Sequence, residues 1–280
     1  MDIIHEGQDP QGNGWQTRVV INKFPIVKSA SGGKFKEQDL FSSRSSGGFH
    51  EVLIESPRHD QNLPEMTPEA FQRITTMYIA RYREHARDKR IKTITLFRNH
   101  GPRAGTSLQH PHAQLIAIDF LPKEVQERET RAAAYYQEHD SCLLCDLIEQ
   151  ERKDGSRMIK DDKHFLSITP YFAQSPYEIW ILPKNHQAHF GKIVGDQLPD
   201  FSRMLQDSLQ RLHRLLDEPD YNYVIHSATH LQRDRSHLHW YLQIHPRITS
   251  RAGFELGTGI SVNPHLPEND ARALREIKPG

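Results

Sequence analysis

The stretch Asn99-His-Gly-Pro-Arg-Ala-Gly105-Thr-Ser107-Leu-Gln-His110-Pro-His112-Ala-Gln114-Leu-Ile-Ala-Ile118 combines three signals. Its glycines and polar residues mark a loop over residues 99–109. From Gln114 onward the apolar content predicts a strand over residues 114–118. Between loop and strand stand His110, His112 and Gln114, spaced by two, so that an extended chain turns them to one face. Two imidazoles and an amide at the mouth of a Gly/Ser loop suit phosphoryl transfer. A ring nitrogen can attack phosphorus and form a phosphoramidate, which splits one hard step into two easier ones. The ring must be neutral and held in one tautomer by a hydrogen bond to its other nitrogen, which a nearby carbonyl can accept. Gly101, Gly105 and Ser107 would let backbone N–H groups approach the phosphates, and Gln114 could donate to an oxygen as charge builds on it. The same residues also fit a blander reading, a strand start with two partly exposed rings.

Working outward, residues 17–21 alternate as a strand does and end at Asn22-Lys-Phe-Pro25. A Ser/Gly-rich insert over residues 28–48 reads as a loop. Residues 49–54 read as a strand stopped by Ser56-Pro57. Thr67-Pro68-Glu69 predicts a helix start, and Phe71, Ile74, Tyr78 and Tyr82 give that helix one apolar face to about residue 88. Residues 91–97 form a further strand. The order then recurs: strands at 165–168 and 178–182, an amphipathic helix at 197–216, and strands at 223–225 and 237–244. His59 and His110 are 51 residues apart, and so are His186 and His237. Each interval begins after a strand and a proline. The repeat predicts an α+β fold of two like halves, residues 1–121 and 163–280, each an antiparallel sheet with a packed helix. A linker over residues 122–162 carries Cys142-Leu-Leu-Cys145.

Composition narrows the class. The chain has 280 residues, with 36 Lys and Arg against 36 Asp and Glu. That balance argues against nucleic acid or a charged membrane surface as partner. No apolar run reaches the roughly 20 residues of a membrane helix, and the first residues show no signal-peptide core, so a cytoplasmic enzyme is expected. The two cysteines are spaced for a metal clip or a redox pair, and 18 histidines are available.

The motif Asn99-x-Gly-x-x-x-Gly105-x-Ser107-x-x-His110-Pro-His112-Ala-Gln114 resembles the active-site segment of the galactose-1-phosphate uridylyltransferase family. That family lies in the histidine-triad superfamily and includes ADP-glucose phosphorylases. Asn22-Lys-Phe-Pro25, residues 48–59 and the Gly253-Phe-Glu255 segment through Asn263-Pro extend the resemblance over residues 15–275. It implies two histidine-triad-like halves and a nucleoside monophosphate carried on His112, between a nucleotide-sugar and a sugar 1-phosphate or phosphate. By the same resemblance Gln114 holds the α-phosphate. Asn22, Asn99, Gly105 and Ser107 line the nucleotide site, and Glu255 contacts the sugar, its blander role being a turn or cap carboxylate. A homodimer is expected by analogy with other histidine-triad proteins.

Cys142, Cys145 and His186, with either His237 or His239, would make a tetrahedral Cys2His2 site for a structural Zn2+. Equal spacing favours His237, as the counterpart of His110, while the His239-Trp240 pair resembles the family's His-Trp and favours His239. Family members also carry an N-terminal Cys-x-x-Cys that joins the counterparts of His59 and His110 in a first zinc site. This chain has no such pair, so either the two histidines bond to each other or the chain is a shortened form. The second half is expected to lack a glutamine, with Tyr241 in its place. Two rival functions remain, a catalytically idle nucleotide-binding protein and a histidine-triad hydrolase of dinucleoside polyphosphates. Neither the base nor the acceptor is legible.

Overall fold

The computed structural model describes residues 3–8, 14–27, 35–106, 108–229 and 235–279. The first half contains β1 (Ile3–Gln8), β2 (Trp15–Ile21), β3 (Phe35–Gln38), β4 (Phe41–Arg44), β5 (Gly48–Ile54), α1 (Pro68–Ala86), β6 (Thr93–His100) and β7 (His112–Ile118). Two helices follow, α2 (Lys123–His139) and α3 (Leu143–Asp154). The second half contains β8 (Met158–Asp161), β9 (Phe165–Ile168), β10 (Ile179–Pro183), α4 (Gln197–Leu216), β11 (Tyr221–His226), β12 (Tyr241–Pro246), α5 (Gly253–Thr258) and α6 (Pro267–Glu276).

Local chemistry sets these boundaries. The Thr67 hydroxyl accepts from the Ala70 N–H at 3.3 Å, and Pro68 opens α1 where no N–H is needed. Its expected face is buried, with Phe71, Tyr78 and Tyr82 fully enclosed. In β7 the alternation is clean. Ala113, Leu115 and Ala117 face the core, while His112, Gln114 and Ile116 stand on the other, partly open face.

The halves do not form separate sheets. Ten strands make one antiparallel sheet in the order β1-β2-β5-β7-β6-β11-β12-β10-β9-β8. The two halves meet at β6 and β11, where Phe97 pairs with Val224 and Asn99 with Asn222. α1 and α4 pack against each other and share one large core with the sheet. Behind the second half, α3 closes the opposite face, with Ile148 against Leu166, Ile168, Trp180 and Leu182. The expected linker is thus largely helical, and β8 begins inside it. Part of the expected loop over residues 28–48 is a hairpin, β3 with β4. The strand expected at 237–244 begins only at Tyr241. No helix among the described residues is long and apolar enough to cross a membrane.

A buried polar cluster sits at the junction of the halves. Arg98 of β6 donates from Nε to the Glu55 carboxylate at 3.0 Å and from Nη1 to the Tyr221 hydroxyl at 3.2 Å. Tyr78 bonds to Glu55 and lies 2.6 Å from the Tyr223 hydroxyl. Burial holds both phenols well above their ordinary value, so they stay protonated and can donate. Removing the cation would leave a carboxylate in a nearly dry place. Arg98→Met should therefore lower the unfolding free energy by about 3–5 kcal/mol, and adding Glu55→Gln should recover part of the loss. Urea denaturation midpoints of the two variants check this.

Candidate active site

His112 opens β7 with its ring partly exposed. Its Nδ1 lies 2.8 Å from the backbone oxygen of His110. A carbonyl only accepts, so Nδ1 carries the proton and the Nε2 lone pair is free. The preceding loop is pinned from the second half. Asp220 accepts from the Arg103 N–H at 2.6 Å. Gly101 adopts φ 84°, and a Cβ there would come within 1.9 Å of an Asp220 carboxylate oxygen, so only glycine fits. Gly105 is left-handed at φ 81° and ends a short 3-10 turn over residues 102–104. Ser107, expected to contact nucleotide, lies outside the described residues.

Gln114 stands two residues beyond His112 on the same face. Its Oε1 is 2.8 Å from His50 Nε2, and His50 Nδ1 accepts from the Ile26 N–H at 3.2 Å. The proton of His50 is therefore on Nε2 and goes to the Gln114 carbonyl. The Gln114 amide group is left as a free donor, the polarity a phosphate oxygen requires. Asn22 is beside this pair, its Oδ1 accepting from the Phe24 N–H at 2.9 Å. Asn99 is oriented likewise. Its Oδ1 accepts from Asn222 Nδ2 at 2.8 Å, which leaves its own amide group to donate, and Arg247 holds Asn222 in turn. His50 and Asn222 carry no signal in a linear reading. They lie 64 and 123 residues from the groups they orient, and only strand pairing joins them.

His110 lies before β7, not on it. Its Nε2 is 2.7 Å from the Ser56 oxygen and its Nδ1 2.9 Å from His59 Nδ1. Glu255 lies on α5, where its carboxylate accepts from the Ala252 N–H at 2.6 Å. It also lines a cleft with His245, Arg247 and Asn222, the partner of Asn99.

The second half repeats the arrangement with different chemistry. Phe97 pairs with Gln114, and Val224 with Gln243. Since Phe97 and Val224 face each other across the seam, Gln243 is the counterpart of Gln114. The glutamine is therefore present, and Tyr241 stands where the first half has His112. By the same register His239, four residues before Gln243, matches His110, four before Gln114. The equal 51-residue spacing misleads because the second half has two extra residues ahead of β12.

The ligand atoms of Cys142, Cys145, His186 and His239 all lie within 4.8 Å of one another. His237 is not among them, and its ring sits edge-on to Tyr136 at 6.4 Å. Cys145 Sγ is 3.4 Å from Nδ1 of both His186 and His239. His239 donates from Nε2 to the Pro183 oxygen at 3.0 Å, which turns its Nδ1 lone pair toward sulfur. Cys142 caps α3 and Cys145 lies in its first turn, where the helix dipole favours thiolates. The Cys142 thiol is held far below its ordinary value, first by the hydrogen bond from Cys145 and then by His186 and His239. Tetrahedral zinc with these donors has ligand–ligand edges of roughly 3.3–3.8 Å, so the donor set and spacing fit such a metal.

His226, the last residue of β11, accepts from Arg128 of α2 at Nδ1 (3.0 Å) and donates from Nε2 to Gln243 Oε1 on β12 (2.8 Å). Burial and the Arg128 charge push its pKa down to about 4. Burial and the Arg98 charge do the same to His100, also to about 4.

Two models of one family match the chain. The galactose-1-phosphate uridyl transferase N-terminal domain matches residues 7–122, and the C-terminal domain matches residues 127–277. An ADP-glucose phosphorylase of Arabidopsis thaliana is 35% identical over 268 residues, covering 94% of this chain and 75% of the relative. A galactose-1-phosphate uridylyltransferase of Thermotoga maritima is 30% identical over 266 residues, covering 92% and 83%. Among solved structures, an ADP-glucose phosphorylase from Arabidopsis thaliana with bound ADP-glucose superposes with a TM-score of 0.84 at 32% identity, covering 99% of this chain and 86% of that one. A uridylyltransferase superposes with a TM-score of 0.86 at 25% identity, covering 94% and 86%.

The buried histidines give a pH dependence of defined sign. Unfolded, His100 and His226 take up protons near pH 6.5; folded, they do so only near about 4. Between those values the unfolded chain binds more protons, so stability falls as pH drops from about 6.5 to about 4 and the loss levels off below. His226→Gln should flatten that slope, as read by urea unfolding at several pH values across the window.

Proposed function

The chain belongs to the galactose-1-phosphate uridylyltransferase family, and we propose that its nucleotidyl transfer runs through a covalent adduct on His112. As a member of that family it is a nucleotidyltransferase acting between a nucleotide-sugar and a sugar phosphate or phosphate. The observation that carries the residue assignment is the hydrogen bond from His112 Nδ1 to the His110 carbonyl. It fixes the neutral tautomer and leaves Nε2 as a nucleophile with a free lone pair. In the first step Nε2 bonds to the α-phosphorus of the nucleotide-sugar. The bond from that phosphorus to the bridging oxygen breaks, and the sugar 1-phosphate leaves with the electron pair. In the second step an oxygen of phosphate, or of another sugar 1-phosphate, attacks the phosphorus and the P–N bond breaks, returning the ring to its neutral form.

Gln114, oriented by His50, donates to a non-bridging oxygen as its charge grows. Asn22, Asn99, Gly105 and Ser107 are assigned to the nucleotide, and Glu255 to the sugar. The higher identity to the ADP-glucose phosphorylase favours an adenine nucleotide and phosphate as acceptor.

Cys142, Cys145, His186 and His239 would hold one structural Zn2+, tying α3 to the turn after β10 and the segment before β12. Thiolate ligands suit a reducing compartment such as the cytoplasm. Phe24 and Ile26, and Leu256 and Ile260 of the α5 region, are mostly solvent-exposed apolar side chains. Such surface is what a second copy of this chain would cover, so a homodimer belongs to the reading.

Intact-protein mass spectrometry after incubation with ADP-glucose or UDP-glucose is the direct test. A nucleotidyl adduct is expected on the wild type and none on His112→Asn, with the mass naming the base. Labelling of the variant would remove His112 from the role. A wild type that binds nucleotide without labelling would favour the idle protein, and turnover with water alone the hydrolase. Metal analysis should find about one zinc per chain. His239→Ala should lose it together with thermal stability, whereas His237→Ala should keep both.

A further inference from the structure

In the second half, His186 and His239 converge on two cysteine sulfurs. Their counterparts in the first half, His59 and His110, converge on each other. The His59 and His110 rings meet edge-on with centroids 4.4 Å apart, and their Nδ1 atoms are 2.9 Å apart. Cys142 and Cys145 both belong to the other cluster. The nitrogens are closer than the roughly 3.3 Å expected for two ligands of one tetrahedral zinc. Two imidazoles at this spacing do not by themselves fit a tetrahedral zinc.

What they do fit is a fixed order of protons. The Ser56 carbonyl accepts from His110 Nε2 at 2.7 Å, so in the neutral ring the His110 Nδ1 is an acceptor. The contact at 2.9 Å then makes His59 Nδ1 the donor. The His110 ring is held at both nitrogens, and the His110 carbonyl accepts from His112 Nδ1. The neighbouring backbone is pinned by the same turn, since the Glu55 N–H donates to the Pro111 oxygen at 3.1 Å. The turn is itself braced. Ser56 donates from Oγ to Gln61 Oε1 at 2.7 Å and accepts from the Arg58 N–H at 3.0 Å. His59 is the one side chain of this turn shown bonding to the His110-Pro111-His112 segment.

We infer that His59 is a positioning residue, which acts through its hydrogen bond to His110. It fixes the ring whose own carbonyl orients His112. The inference rests on the reading of His112 as the nucleophile. Loss of the donor should loosen His110 and let the His112 ring rotate away from in-line attack, while the nucleotide pocket, built from β2, β6 and β7, is untouched.

The test compares His59→Phe, which keeps a flat ring without a donor, with His59→Asn, whose amide can donate from nearly the same place as Nδ1. Single-turnover labelling with whichever of ADP-glucose and UDP-glucose modifies the wild type gives the rate, and equilibrium binding to the respective His112→Asn double variants gives the affinity. His59→Phe should label roughly tenfold more slowly, the effect of about one positioned hydrogen bond, with unchanged affinity. His59→Asn should label near the wild-type rate, and zinc should stay at one equivalent in all. The inference is overturned if His59→Phe labels at the wild-type rate, if His59→Asn is as slow as His59→Phe, or if a second tightly bound zinc is found that His59→Phe removes. A wild type that never labels overturns the His112 reading itself, and this inference with it.

Discussion

Antiparallel pairing of β6 with β11 is the constraint on which the rest depends. Across that seam Asn99 meets Asn222 and Phe97 meets Val224. The glycine loop leaving β6 runs back over Asp220, which precedes β11, and binds it through Arg103. The loop that leads to His112 is thus held by residues more than a hundred positions away. The buried Arg98–Glu55 pair, with three tyrosines around it, lies at the same junction. A half-chain would expose the edge of β6 and leave the Asn99 amide free to turn either way.

The two halves set different side chains on one backbone scaffold. In each, a histidine before the central strand donates from Nε2 to a carbonyl at the end of a neighbouring strand, His110 to Ser56 and His239 to Pro183. In each, the ring's Nδ1 is thereby aimed at a partner from the turn that follows. In the second half that partner set includes two cysteine sulfurs from the start of α3. In the first half it is a single imidazole. Gln114 and Gln243 occupy one register, yet their bonds differ. His50 leaves the Gln114 amide group free, whereas Gln243 accepts from His226 and donates to Glu178, so its amide is spent internally. Tyr241 holds the register place of His112, and α3 packs over the adjoining strands.

Much of the fold was legible because its signals are local. Thr67-Pro68 starts α1, and the apolar period over residues 197–216 matches α4. The alternation around Gln114 marks β7, and the recurring strand–helix order shows two like halves. The helices α2 and α3 were hidden by composition. α2 buries no residue and is predominantly polar, so it has no apolar stripe to announce it. The single continuous sheet was hidden for another reason, since an amphipathic strand carries no mark of which partner completes its edge.

At the site, the sequence by itself determined the chemical inventory: His112 and Gln114 on one face, a glycine loop before them, and two cysteines spaced to clip a metal. Those facts depend on neighbours in the chain, where a period of two or a pair of glycines acts directly on the backbone. Only the tertiary structure decided that His239 and not His237 reaches the two cysteines, because two extra residues before β12 shift every later position. Only it decided that His50 and Asn222 orient Gln114 and Asn99, and that His59 and His110 bond to each other. Each of these is a choice of which hydrogen goes to which lone pair between distant segments. Sequence can supply the donors and acceptors, but a hydrogen bond exists only once folding brings them within about 3 Å.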